Sequence, residues 1–195
     1  MLKNVISSLG LSLLLAPAAA DTLTFEDRPV DLTLLGSYQG FNWNSAGAGY
    51  TADWNYGFPD TGLQYGAVSG SKILVSADTL SITLGSPGSF DLAGAWFTAA
   101  YDWVPQSLSF IGKSAGNTLY TLSAQTLSAS AASYVTLGWS GIDEFVVVNE
   151  APEWSWVMDN MDYSISASPI PEPATWGLLL AGLGLLRLAS SRRRT

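Results

Sequence analysis

The sequence holds no cysteine and no histidine among its 195 residues. A disulfide framework is excluded, and so are zinc-finger sites and any catalytic dyad built on Cys or His. Charge is scarce as well. Asp, Glu, Lys and Arg together make up 12% of the chain, about half the usual share of a soluble domain. Eight basic residues stand against sixteen acidic ones, for a formal net charge of −8. That balance excludes the basic footprint of a nucleic-acid-binding protein. Between the two ends no segment sustains a 3.6-residue apolar stripe of helix length, and there is no internal repeat. No G-x-S-x-G elbow, P-loop or dinucleotide fingerprint occurs.

The N-terminal end reads as a secretory signal over residues 1–20. Lys3 supplies the positive n-region and residues 5–15 form an apolar run of h-region length. Ala18 and Ala20 put small residues at −3 and −1, so cleavage is expected before Asp21. The run is shorter than the roughly 20 residues a bilayer span needs. The alternative is an uncleaved anchor. A cleaved signal implies the Sec translocon and signal peptidase as partners.

The C-terminal end reads as a second targeting element over residues 169–195. Residues 164–173 are polar and broken by proline, and an apolar run follows. A helix over about residues 174–191 would be about 27 Å long, enough to cross a bilayer once if Arg187 snorkels to the interface. Trp176 sits at the outer end. Arg192, Arg193 and Arg194 sit at the other, where the positive-inside rule keeps them in the cytoplasm. The body is thus expected outside and the tail inside. The alternative is a helix buried in the globular body, which three arginines and the absence of amphipathic periodicity oppose.

Pro171-Glu172-Pro173, an apolar span and a terminal arginine cluster, in that order, resemble the PEP-CTERM sorting signal. Arg187 departs from the pattern by entering the span early. The resemblance implies a bacterial envelope protein processed by exosortase, a membrane enzyme similar to a transpeptidase. Pro171-Glu172-Pro173 would be recognised and cut, and the body released or transferred to the surface. It also implies a Gram-negative host that makes exopolysaccharide, with the chain held briefly at the inner membrane. Physically, the two prolines deny the segment helix and sheet donors and hold it extended. Glu172 is then presented on a stiff strand that a groove can bind with little ordering cost. The plain alternative is a membrane-proximal spacer.

Residues 21–168 are expected to form one domain. They carry three basic residues (Arg28, Lys72, Lys113) and fifteen acidic ones, a net charge of −12. Such a surface suits solubility outside the cell and repels anionic polymers unless metal ions bridge them. Apolar and polar residues alternate over residues 22–25, 72–75, 79–84 and 107–111. Further strands are expected at 95–101, 118–122, 134–137, 145–148 and 157–165. Turn residues recur between them every 8–15 residues, which predicts a mainly β, antiparallel sandwich or barrel. Leu23-Thr24-Phe25-Glu26-Asp27, Tyr38-Gln39-Gly40-Phe41-Asn42-Trp43 and Met158-Asp159-Asn160 resemble the bodies often attached to PEP-CTERM signals. That resemblance implies a jelly-roll sandwich similar to carbohydrate-binding modules.

Candidate chemistry lies in carboxylates and aromatic rings. Leu23 and Phe25 share a strand face that Asp27 continues. Val157, Met161, Tyr163 and Ile165 share another that Asp159 interrupts. A carboxylate on an apolar face needs hydrogen bonds, a charge partner or a metal. One expectation is a structural Ca²⁺ at Asp27 and Asp159, completed by Glu26 or Asn160 and main-chain oxygens, since calcium prefers six to eight hard oxygen ligands. The alternative is that Asp159-Asn160 caps a bulge and Asp27 binds backbone amides. Residues 38–65 are dense in aromatics, Gly and Asn. Trp43, Tyr50, Trp54 and Tyr56 there are candidate glycan-stacking rings, with Asp53, Asp60 and Gln64 as hydrogen-bonding groups. The alternative is that these rings staple a long loop to the core. Trp96, Trp103, Trp139, Trp154 and Trp156 are assigned to packing. Asp143, Glu144, Glu150 and Glu153 could supply the carboxylate pair of a glycosidase, but nothing in their spacing singles them out.

The expected function is a non-catalytic, exported matrix or biofilm module sorted by an exosortase and in contact with exopolysaccharide. The alternatives are a calcium-stabilised carbohydrate-binding module and a glycan-degrading hydrolase.

Overall fold

Period-two alternation builds this body from strands, and the places where alternation breaks decide how they connect. The computed structural model describes residues 20–29, 34–45, 50–53, 55, 58–103, 105–151 and 155–167. In chain order these form β1 (Asp21–Leu23), β2 (Gly36–Tyr38), β3 (Phe41–Ser45), β4 (Tyr50–Asp53) and a short helix α1 (Gly62–Gly66). There follow β5 (Lys72–Ser76), β6 (Leu80–Leu84), β7 (Gly88–Ala99), β8 (Gln106–Ser114) and β9 (Asn117–Leu127). The last strands are β10 (Ser133–Ile142), β11 (Glu144–Asn149) and β12 (Trp156–Ala167).

The strands form two six-stranded sheets. The first runs β10-β7-β12-β5-β4, with β1 also paired to β12, and the second runs β2-β3-β6-β11-β8-β9. Every pairing is antiparallel. The chain is therefore mainly β, a jelly-roll-like antiparallel sandwich, as its alternation predicts. Residues 1–19 of the signal segment, the Pro171-Glu172-Pro173 motif and the expected membrane span lie outside the described residues. Among the described residues no helix is long and apolar enough to cross a membrane.

Inward-facing rings from both sheets interlock in the core. Phe41 of β3 meets Phe90 of β7 edge-on at 5.1 Å and Tyr163 of β12 at 5.0 Å. Phe97 of β7 lies 5.0 Å from Phe110 of β8. Offset and edge-on ring pairs of this kind add about 0.5–1.5 kcal/mol each beyond the area they bury. A smaller apolar cluster sits on the other side of the first sheet, where α1 lays Leu63 over Ile73, Val75 and Val157. Covered on both faces, β5 reads Ile73-Leu74-Val75 as a continuous apolar run rather than an alternating one.

Two expectations about face are corrected here. Phe25 is fully buried but takes φ 64, which ends the extended run. β1 stops at Leu23, and Asp27 lies exposed instead of continuing the Leu23 and Phe25 face. In β12, Asn160 takes φ 45 and the register with β7 shifts between Asp159 and Asp162. This bulge inverts the parity of the strand. Trp156, Met158, Met161 and Tyr163 point into the main core, while Val157 belongs to the cluster beneath α1. Asp159 shares that outer side with Val157 and interrupts no core-facing row.

Candidate functional site

The described residues of the aromatic stretch 38–65 include strands β2, β3 and β4 and the helix α1 rather than one long loop. Gln39 and Gly40 have φ 50 and φ 80 and join β2 to β3 through a two-residue turn, the mirror-type turn that fits strand twist. Trp43 falls on the inward face of β3. Its ring is 5% exposed and packs edge-on to Phe25 at 5.7 Å, and its Nε1 donates to the Tyr38 carbonyl at 3.1 Å. The expectation of Trp43 as a stacking platform is thus corrected, because both ring faces are inside the sandwich. Trp54, Tyr56 and the ring of Tyr50 lie outside the described residues. Asp53 is held by Lys72 at 3.7 Å, by the Asn55 N–H at 2.9 Å and by the Ser71 hydroxyl at 3.1 Å. Partial burial pushes its pKa up, and those hydrogen bonds and the Lys72 ammonium outweigh it and bring it below the usual value.

The four residues expected around calcium divide into two groups. Asp27 accepts the Tyr38 hydroxyl through one oxygen and Gln39 Nε2 at 2.9 Å through the other. Burial first, and then the hydrogen bond to Asp27, pushes the Tyr38 phenol up. Glu26 and Asp159 instead grip one loop between α1 and β5. Asp159 accepts the N–H groups of Val68 at 2.8 Å and Ser69 at 2.9 Å through one oxygen, and the N–H of Asn160 at 2.8 Å through the other. Glu26 accepts those of Ser71 at 2.9 Å and Lys72 at 2.6 Å. Ser69 Oγ also donates to Asn160 Oδ1 at 2.6 Å. Gly70 completes the turn at φ +55, and a Cβ there would stand 2.3 Å from the Glu26 carboxylate. Both carboxylates are thus engaged by backbone N–H groups, and Asp159-Asn160 does form a bulge. Among the described residues no three acidic side chains gather closely enough to hold a metal.

The segment between β7 and β8 supplies a concave surface. Tyr101, Asp102, Trp103 and Pro105 form one wall, Asp60 and Thr61 ahead of α1 another, and the β9–β10 turn the third. The cleft is about 410 Å³, within the range of small-molecule sites. The rings of Tyr101 and Trp103 stack at 4.7 Å with planes 13° apart, and Trp103 is 70% exposed. Ser128 and Ser130 pair their hydroxyls at 3.1 Å, and the Ser130 N–H donates to Ser128 Oγ at 3.1 Å. Two hydrogen bonds frame the site: Ala99 N–H to the Ser128 carbonyl and Gly62 N–H to the Ala100 carbonyl, both at 3.0 Å.

Trp103 is the residue that sequence reasoning assigned to packing. Its only sequence signal is an aromatic-acid-aromatic run two residues before Pro105, just past a strand. Trp139 and Trp156 are buried at 8% and 0% exposure, in keeping with packing. Trp96 is half-buried on the outer side of β7 against Tyr134 at 5.4 Å. Trp154 lies outside the described residues.

The carboxylates considered for glycoside hydrolysis hold structural partners. Glu144 pairs with Lys113 at 3.1 Å and accepts Ser81 Oγ at 2.8 Å. Asp143 accepts the Ala115 N–H at 2.7 Å, and Glu150 accepts the Ser109 hydroxyl. Glu153 lies outside the described residues.

A family model for the PEP-CTERM protein-sorting motif matches residues 169–194. The chain carries that motif at its C-terminal end, and the motif implies export, anchoring at the cell envelope and processing by exosortase. Comparison with curated protein sequences finds no match. Among solved structures the chain is similar to the N-terminal CBM22-1–CBM22-2 tandem domain of Xyn10C from Paenibacillus barcinonensis. The identity is 11% and the TM-score 0.48, over 82% of this chain and 50% of that one. The single CBM22-1 xylan-binding domain of the same protein gives 11% and 0.48, over 78% and 99%. The C-terminal family 22 carbohydrate binding module of Clostridium thermocellum Xyn10B gives 12% and 0.47, over 77% and 96%. The chain therefore spans half of the tandem domain and nearly all of each single module.

Proposed function

We propose that this chain is an exported surface protein of a Gram-negative bacterium, delivered by the Sec translocon and signal peptidase. It is held briefly at the inner membrane and then processed by an exosortase-type enzyme at Pro171-Glu172-Pro173. Its body is a non-catalytic binding or structural module of an extracellular matrix or biofilm containing exopolysaccharide. The observation that carries this reading is the sorting motif at residues 169–194 placed behind a single sandwich body. A scarcity of basic residues supports an extracellular, soluble body, because its net charge of −12 keeps copies apart and in solution. The engaged partners of Asp143, Glu144 and Glu150 support a structural rather than a catalytic part for these carboxylates.

Mass spectrometry of the protein recovered from its host tests the reading. The expected mature product begins at Asp21 and ends in the vicinity of Pro171-Glu172-Pro173, free or carrying an attached group. Recovery of the intact 195-residue chain, dissolved in the cytosol, would overturn it.

A further inference from the structure

We propose that the cleft beside Trp103 binds a neutral glycan chain, seated on the Tyr101–Trp103 ring pair and hydrogen-bonded by the β9–β10 turn. The inference rests on the reading of the body as a matrix-binding module and names the ligand class that module takes.

Exposure of the indole is the first observation. Trp43, Trp139 and Trp156 are all under a tenth exposed, whereas Trp103 is 70% exposed. An indole left in water forgoes a large hydrophobic gain. Tyr101 stacks on this one at 4.7 Å and fixes its plane, so a ligand finds the ring already oriented and loses less entropy on binding.

The polar rim is the second. A pyranose ring offers C–H groups from its face and hydroxyls from its edge. The cleft matches both, with ring surface and Asp102 on one wall and Thr126, Ser128, Ser130 and Asp60 on the others. Such a mix of aromatic surface and a few placed polar groups is what fixes orientation in a ligand site.

Charge selects the class. Asp60 and Asp102 border the cleft, and among the described residues no basic side chain lines it. The third wall belongs to residues 114–142, a run of 29 residues with no charged side chain and the longest such run of the body. None of the described residues of the cleft compensates an anion, while the body as a whole repels one. Polyuronates and other acidic chains are disfavoured, and neutral sugars, whose hydroxyls donate to carboxylates, are favoured.

Affinity electrophoresis of the full chain in mild detergent tests this. The gels each contain one soluble polysaccharide: a neutral glucan, mannan, galactan or xylan, or an anionic polyuronate. At least one neutral gel is expected to retard the protein and the polyuronate gel is not. Trp103→Ala should weaken the retarding interaction at least tenfold, and Trp103→Tyr should restore part of it. Trp96→Ala, on the outer side of the first sheet, should leave it unchanged. Equal melting temperatures of the native and Trp103→Ala chains exclude a folding cause. Retardation by no neutral polysaccharide, retardation by the polyuronate, or undiminished retardation of Trp103→Ala would each overturn the proposal. Tail processing of Trp103→Ala in the host is expected to be normal, so failure at the cleft and failure of the sorting reading give different results.

Discussion

The Asp159 carboxylate receives the backbone N–H of Ser69 at 2.9 Å, across 90 residues of chain. With Glu26 it fixes the loop that leads from α1 into β5, and so holds α1 down on the first sheet. A loop with no secondary structure of its own is thereby made part of the rigid frame, and α1 is the element that positions Asp60 and Thr61 at the cleft.

Removal of the Asp159 side chain is therefore costly. Asp159→Ala leaves the N–H groups of Val68, Ser69 and Asn160 without their acceptor. Each unmatched N–H costs about 1–3 kcal/mol when kept from water, so a loss of about 3 kcal/mol or more is expected in urea unfolding. A loss under about 1 kcal/mol would show that water replaces the carboxylate.

The same residue gives stability a pH dependence. Burial raises the Asp159 carboxyl from 3.8 to about 6, opposed by the Ser69, Asn160 and Val68 N–H groups and reinforced by the charge of Glu26. The folded chain then keeps this proton at pH values where the unfolded chain has lost it. The contribution of the group is greatest below 3.8, falls as pH rises through that window, and is level above about 6. Measured against Asp159→Asn, which does not titrate, the native chain should lose melting temperature between those limits. Parallel curves for the two chains would refute this.

Gly62 is confined by the same docking of α1. A Cβ at this position would stand 1.6 Å from the Ala99 carbonyl oxygen, far inside contact distance. Gly62→Ala must lift α1 from β7, and overpacking of this kind costs about 1–3 kcal/mol. Denaturant unfolding should register that loss, and glycan retention by the Trp103 cleft should weaken with it, because Thr61 moves. An unchanged midpoint would mean the helix can shift freely.

Calcium offers a separate check on the Glu26–Asp159 frame. Four backbone N–H groups already hydrogen-bond these carboxylates. A chelator is expected to leave the melting temperature unchanged. A rise on adding Ca²⁺, abolished by Glu26→Gln, would instead place a cation between the two side chains.

The strands that alternate cleanly were legible without coordinates. Leu80-Ser81-Ile82-Thr83-Leu84 and Ser107-Leu108-Ser109-Phe110 fall in β6 and β8, because strand periodicity is a local property. The sorting tail was legible for a similar reason: proline, apolar run and arginines stand in order along the chain, and the family model matches them there.

What the residue order determined, then, was the β class, the antiparallel sandwich and the address at the C-terminal end, since each is written in neighbouring residues. Tertiary structure alone decided which side of β12 carries Asp159, because one extra residue at Asn160 inverts parity without changing composition. It also decided which of the described tryptophans is most exposed to water. Trp43 and Trp103 are chemically identical, and only the packing of two sheets buries the first while a loop between β7 and β8 holds out the second.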